Sequence, residues 1–235
     1  MADTAPTGRF RRLTPAQTER AVEIAAGRLQ PSASKDAATV VLVRDAPVAR
    51  ADGTGRLEVF LLRRVSTMAF AAGMHVFPGG KVESDDRYDG ALPAGWSDVL
   101  SGGDEALLSR IVGAAVRETV EETGVRLTAG DLRPFAHWIT PSVELLRYDT
   151  RFLIAPLPAG QSATSASGEA DLGFWTAPHE AQTLRIMAPT RAALLDLAGC
   201  ADVAAAVTKQ RVIRPVQPRI EQDADGWRFV IDGVA

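Results

Sequence analysis

Two rhythms of apolar and polar positions run along this chain. Residues 38–43 form an almost unbroken apolar run rich in β-branched side chains, which predicts a buried strand. Residues 57–63 predict its partner, across a loop at 44–56 that contains Pro47, Gly53 and Gly55. Similar runs at 135–139, 148–155 and 173–176 predict further strands, with short terminal ones at 211–213 and 227–231. The second rhythm is helical. In Glu105–Thr123, the residues Leu107, Leu108, Ile111, Val112 and Ala115 recur at the ~3.6-residue period of one helix face, leaving Glu118, Glu121 and Glu122 towards a cleft. An earlier helix starts at Thr14, a good N-cap, with Pro15 in the first turn, and runs to about Leu29 before Pro31 stops it. Additional helices are expected at 178–184, 189–198 and 201–207, together spanning 178–207. The polar, glycine-rich residues 84–103 read as a surface loop with one short turn around Trp96, a lid or a dimer contact being the functional alternative, although Trp96 and Leu100 would be odd if left bare. Strands, a helix, then more strands and helices predict an α+β fold. No repeat or long linker divides it, so the expected organisation is an N-terminal helical extension over 1–35 and one domain over 36–235.

Composition narrows the partners. The 235 residues carry 46% hydrophobic and 23% charged side chains, enough apolar material for one well-packed core. A net charge of −3 offers no basic face to a nucleic-acid backbone. No apolar run reaches the ~20 residues of a membrane helix. Neither nucleic acid nor membrane is therefore an expected partner. Cys200 is the one cysteine, so an internal disulfide is impossible and a reducing compartment is expected. With no secretory apolar region after Arg9, Arg11 and Arg12, and no peroxisomal tripeptide at the C-terminus, the expected location is cytoplasmic. His75, His137 and His179 are too dispersed for a zinc site.

Candidate chemistry concentrates in the run Arg117-Glu118-Thr119-Val120-Glu121-Glu122-Thr123-Gly124-Val125. Glu118, Glu121 and Glu122 share one face of a helix. Like charges so placed repel unless something cationic sits among them. Carboxylate oxygens are hard donors suited to Mg²⁺ or Mn²⁺, ions commonly shared with substrate phosphates. A solvated acidic helix face is the plainer alternative. Two neighbours favour the metal. Gly124 stands where a left-handed C-cap is expected, and Phe77-Pro78-Gly79-Gly80 is a turn whose glycines let backbone carbonyls approach a ligand.

The pattern resembles the Nudix box, G-x5-E-x7-R-E-U-x-E-E-x-G-U with U aliphatic. Gly80 matches the first glycine, and Arg117, Glu118, Glu121, Glu122, Gly124 and Val125 match the second half. Thr119 fills the first aliphatic place and Asp86 the place of the first glutamate. Residues 87–116 separate Asp86 from Arg117, so an insertion, about 87–104, interrupts the box. An interrupted box is similar to that of the peroxisomal coenzyme A diphosphatase and its bacterial relatives. The chain also resembles them at Leu61-Leu62-Arg63-Arg64, at Gly73-Met74-His75-Val76, at Trp138-Ile139-Thr140-Pro141 and at Arg147-Tyr148-Asp149-Thr150-Arg151-Phe152. Of a coenzyme A signature, Arg64 and Gly73 match, while Val65 and Ala69 stand in place of a small residue and a second arginine.

The resemblance implies a Nudix α/β/α sandwich with a mixed sheet. It implies a Mg²⁺- or Mn²⁺-dependent hydrolase acting on the diphosphate of a nucleoside diphosphate derivative. Coenzyme A or acyl-coenzyme A, giving 3′,5′-ADP and a phosphopantetheine product, is the leading substrate, with ADP-ribose and NADH as alternatives. A nucleotide-sensing module without catalysis is the contrasting reading, and the retained Glu118, Glu121 and Glu122 argue against it. By analogy these three glutamates and the Gly80 carbonyl are metal ligands, with Glu118 alternatively the general base. Arg117 would orient the glutamates through an ion pair. A further acid is expected from a later loop, Glu169 or Asp171, with Glu144 a third option. Arg64, Arg147 and Arg151 are candidate phosphate contacts, the last two sharing a strand face with Asp149 by the period of ~2. A mutually paired strand face is the alternative for that pair. A homodimer is a further expectation, from the family's habit and from apolar residues in the extension and the insertion.

Overall fold

The computed structural model of the chain describes residues 12–48, 53, 55–65, 73–168 and 170–231. Two compact units are formed. One contains Met1–Lys35, Trp138–Asp149 and Pro215–Ala235, and the other Asp36–His137 and Thr150–Arg214. The N-terminal extension therefore shares a unit with two later segments.

The larger unit is built on a mixed sheet with flanking helices. Its strands, of which Ser34–Lys35, Trp138–Ile139 and Arg147–Asp149 are counted in the smaller unit, are β1 (Ser34–Asp45), β2 (Leu57–Arg64), β3 (His75–Val76), β4 (Gly79–Lys81), β5 (Arg133–Ile139), β6 (Arg147–Pro156) and β7 (Ala170–Thr176). The order β3-β2-β1-β6-β5 is completed by β4 on β1 and β7 on β2. Val40, Val41, Leu42 and Val43 are consecutive and all buried, so β1 is covered on both faces, as its apolar run predicts. β1 and β2 pair antiparallel with Val43 opposite Val59 and Arg44 opposite Glu58, and the latter two form an ion pair at 2.8 Å.

Of the helices α1 (Pro15–Ala25), α2 (Trp96–Leu100), α3 (Glu105–Thr123), α4 (Pro178–Ala181), α5 (Ala188–Ala198) and α6 (Val203–Thr208), α3 governs the site. The Asp104 carboxylate caps it by accepting from the Leu107 N–H at 2.9 Å, and Gly124, at φ 75°, ends it. Leu108, Ile111, Val112 and Ala115 pack with Val40, Leu42, Phe60 and Leu153 in one core. Each fully buried aliphatic side chain there contributes about 1.5–3 kcal/mol. The expected surface loop at 84–103 is a departure. Its helix α2 places Trp96 and Leu100 in that same core, so the segment supplies packing for α3.

In the smaller unit, Thr14 and Gln17 form a reciprocal capping box at the start of α1. The helix ends at Ala25, short of the expected Leu29. Gly27 takes φ 70°, with Gly27 N–H bonding to Ile24 O at 3.0 Å and Arg28 N–H to Glu23 O at 2.9 Å. This left-handed stop acts before Pro31 is reached. A two-residue strand β8 (Pro215–Val216) precedes a hairpin of β9 (Arg219–Asp223) and β10 (Gly226–Val230). Phe229 of the hairpin packs with Ala21 and Val143. The strand expected at 211–213 is not formed. Arg211 instead binds Asp196 at 2.6 Å and the Ala206 carbonyl at 2.9 Å, at the ends of α5 and α6. Among the described residues, no helix is long and apolar enough to cross a membrane.

Candidate active site

β4 lies on β1 with Ala38 opposite Gly80 and Thr39 opposite Gly79. Only glycine fits at 79, where φ is 153° and a Cβ would overlap the Ala38 carbonyl oxygen. A Cβ on Gly80 would overlap the Glu118 carboxylate, so β4 and the last turns of α3 are in direct contact. Glu122 closes that contact. Its buried carboxylate accepts from the Gly79 N–H at 2.8 Å.

Arg117 organises the remaining acids. Its guanidinium grips Asp86 with two bonds of 2.7 and 2.9 Å, and donates to Glu118 at 2.9 Å, Glu121 at 3.1 Å and the Lys81 carbonyl at 3.2 Å. Burial acts to raise the Asp86 carboxyl. Hydrogen bonds from Arg117 and from the Glu83 N–H, with the adjacent positive charge, more than offset this and hold it below the usual carboxylate range. The Asp86 hydrogen bond, and then the charge of Glu118, raise Arg117 above the ordinary arginine value despite its partial burial. Glu118 is largely covered, whereas the Glu121 side chain is 55% exposed. Thr119, in the aliphatic place, is buried without cost to polar pairing because its hydroxyl donates to the Ala115 carbonyl at 2.7 Å.

Glu118 and Glu122 lie against β4 at Gly80 and Gly79, and Glu121 joins Glu118 through Arg117; with the Gly80 carbonyl these are hard oxygen donors of the type that Mg²⁺ or Mn²⁺ takes. The fit is one of donor type and neighbourhood. Among the described residues, no three acidic, histidine or cysteine side chains converge on one point as they stand. Glu122 turns to Gly79, while Glu118 and Glu121 turn to Arg117.

The other candidates lie elsewhere. Arg64 ends β2 opposite Ala170, just past a register shift. Arg147, in the smaller unit, is buried and donates to the carbonyls of Thr140 at 3.1 Å and Ser32 at 2.6 Å. Arg151, in the larger, is buried and binds the Leu100 carbonyl at 2.9 Å and Asp36 at 2.7 Å. Both guanidinium groups are thus engaged with backbone carbonyls, and Arg151 also with the Asp36 carboxylate. Asp171 forms a two-bonded ion pair with Arg63 at 2.8 and 3.0 Å, and those bonds lower its carboxyl from the ordinary value. Glu144 accepts from Gln17 at 2.7 Å. Glu169 and Ala69 lie outside the described residues.

The loop after β6 touches the site without any motif to announce it. Its Thr164 and Ala166 N–H groups bond to the Thr123 and Glu122 carbonyls at 3.1 and 3.0 Å. Gln161 makes a reciprocal pair with the Arg126 backbone at 2.8 and 2.9 Å. These bonds satisfy the open carbonyls at the end of α3.

No protein-family model matches the chain, and no curated protein matches it. Solved structures do. A Nudix hydrolase from Alicyclobacillus acidocaldarius superposes with a TM-score of 0.58 at 23% identity, covering 77% of this chain and 98% of that one. The C. elegans Ap4A hydrolase in a binary complex gives 0.44 at 17% identity, covering 68% and 93%. The Nudix domain of NrtR from Shewanella oneidensis, complexed with ADP ribose, gives 0.44 at 15% identity, covering 74% and 90%. Likeness at such identity is likeness of fold, and on the first of these superpositions the fold of this chain is that of the Nudix hydrolases.

Proposed function

We propose that this chain is a divalent-metal-dependent hydrolase of the diphosphate bond in a nucleoside diphosphate derivative. Coenzyme A or acyl-coenzyme A is the leading substrate, cleaved to 3′,5′-ADP and phosphopantetheine or its acyl form. The observation that carries the class is the α3–β4 contact, where Arg117 holds Asp86, Glu118 and Glu121 while Glu122 meets the Gly79 N–H. The substrate choice rests on the interrupted box and on Arg64 and Gly73.

Glu118, Glu121, Glu122 and the Gly80 carbonyl would hold the ion. Mg²⁺ or Mn²⁺ bound there supplies charge neutralisation at phosphorus oxygens and a more acidic water. The chain's own part is positional and electrostatic. Asp86 fixes the Arg117 fork, and that fork sets the carboxylates of Glu118 and Glu121. Glu118, whose carboxylate lies close against Gly80, would alternatively serve as the general base towards water.

The test incubates purified protein with Mg²⁺ or Mn²⁺ and coenzyme A, acetyl-coenzyme A, ADP-ribose, NADH and diadenosine polyphosphates, with products resolved by mass. Release of 3′,5′-ADP, preferentially from coenzyme A substrates, is expected. A folded Glu121→Gln, Glu122→Gln variant should be inactive. Cleavage of ADP-ribose or NADH instead removes the coenzyme A assignment and keeps the hydrolase. Tight nucleotide binding with no product under either metal would make the chain a sensing module.

A further inference from the structure

Three residues of α3 spaced one turn apart meet three consecutive residues at the root of the insertion, in reverse order. The Ser109 hydroxyl accepts from the Tyr88 N–H at 3.1 Å and donates to the Tyr88 carbonyl at 3.2 Å. Gly113 lies against the Arg87 backbone so closely that an added Cβ would stand 2.7 Å from Arg87 N, 2.8 Å from its carbonyl carbon and 2.9 Å from its oxygen. Arg117 takes the Asp86 carboxylate with two bonds, at 2.7 and 2.9 Å. Residues four apart share a helix face, so Ser109, Gly113 and Arg117 form one stripe, and Glu121 is its next member. The Tyr88 hydroxyl adds an anchor by accepting from the Ala129 N–H at 3.0 Å.

We propose that this stripe is a seat that fixes the register of residues 86–88 on α3, and that Ser109 and Gly113 are positioning residues for the Arg117 cluster. Glycine is a poor residue for the middle of a 19-residue helix. The close approach of Arg87 gives the physical reason for it here. Aspartate is one methylene shorter than glutamate, so Asp86 reaches Arg117 with both oxygens only if its backbone comes close to the helix. Gly113 permits that approach, one turn before Arg117. Ser109 then holds the chain by both polar groups of Tyr88 as it leaves for the insertion. Short acid and absent side chain are thus complementary halves of one fit, and the proposal deepens the hydrolase reading by naming what aims Arg117 at Glu118 and Glu121.

The complementarity predicts rescue. Gly113→Ala pushes the backbone at Arg87 outwards and should lower both turnover and the folding equilibrium constant by about ten-fold. Asp86→Glu alone should do likewise, because the longer acid is crowded at the close seat. In the double variant the longer side chain reaches from the displaced backbone, so most of both losses should return, with KM little changed throughout. Losses that simply add in the denaturant-unfolding cycle and in kcat would overturn the seat. A second cycle uses Ser109→Ala, which removes both hydroxyl bonds from a helix that alanine favours. Asp86→Asn should then reduce the folding constant less in the Ser109→Ala background than in the native one, and an equal loss in both would also overturn it. The activity arm rests on the hydrolase reading, whereas the unfolding arm does not. If the native protein turns over nothing in the panel, the hydrolase fails while the unfolding cycles still decide the seat.

Discussion

At the scale of single residues, Arg117 joins three acids and a backbone carbonyl through one side chain. A lysine keeps the charge but loses the planar fork, so it cannot hold Asp86 with two bonds and also reach Glu118 and Glu121. Arg117→Lys should therefore remain folded and lose about ten- to a hundred-fold in turnover. Steady-state kinetics on the substrate found by mass would check this, and native turnover would sink the orienting role. Asp86 carries a second consequence. Its carboxyl lies lower in the folded protein than in the unfolded chain, so its charged form stabilises the fold. That contribution is complete above the unfolded value of about 3.9 and disappears as pH falls through the lower folded value. Unfolding free energy should accordingly fall more steeply with acid in the native protein than in Asp86→Asn. Denaturant titrations from neutral pH downwards should show the two curves converging at the acid end. Parallel curves would mean that Asp86 gains nothing from Arg117.

At the scale of elements, residues 84–103 depart from the surface loop expected of them. Trp96 and Leu100 stand four apart, a helical spacing, but a single turn among glycine, proline and acids is too short to announce an element. Both nevertheless enter the core beside Ile111 and Val112. Trp96→Ala should cost about 3–5 kcal/mol of stability, readable as a lowered denaturant midpoint, and a change under about 0.5 kcal/mol would return the segment to a surface loop. The other departures have equally local causes. α1 stops early because Gly27 turns left-handed before Pro31 can act. β9 escaped notice because Arg219, Glu221, Gln222 and Asp223 are polar and it pairs with β10 in a two-stranded sheet, although Asp225-Gly226 is a hairpin signal. In contrast β1 and α3 were legible from hydrophobic pattern alone, since burial on two faces and on one helical stripe write different periods. Of the site, Arg117, Glu118, Glu121, Glu122 and Gly80 were legible as a set from the motif, and in the structure Arg117 bonds to Glu118 and Glu121 while Glu122 accepts from the Gly79 N–H. The docking of Thr164 and Ala166 on α3 was not, because main-chain bonds carry no residue code. The backbone carbonyls that Arg147 and Arg151 meet were not legible either, for a related reason. An arginine fork suits backbone carbonyls as well as phosphate, and strand alternation cannot say which it meets.

At the scale of the molecule, the carboxylates, Arg117 and Gly80 all belong to the larger unit, while Phe229, Ala21 and Val143 form the small core of the other. This division makes metal binding a thermodynamic probe that needs no substrate. An ion held by the native Glu118–Gly80 neighbourhood and absent from the unfolded chain stabilises by mass action, by about 2.7 kcal/mol at a hundred times its dissociation constant. For a chain of this size each kcal/mol raises the midpoint by roughly 2–4 °C. Calorimetry should therefore show an upward shift with Mg²⁺ or Mn²⁺ that EDTA reverses and that the Glu121→Gln, Glu122→Gln variant lacks. Phe229→Ala provides the internal control. It opens a void in the smaller unit and should lower stability by about 3 kcal/mol, yet leave the metal-dependent increment unchanged. Loss of the increment in Phe229→Ala, with its retention in the glutamate variant, would place the ion in the smaller unit and remove the α3–β4 contact as the metal centre.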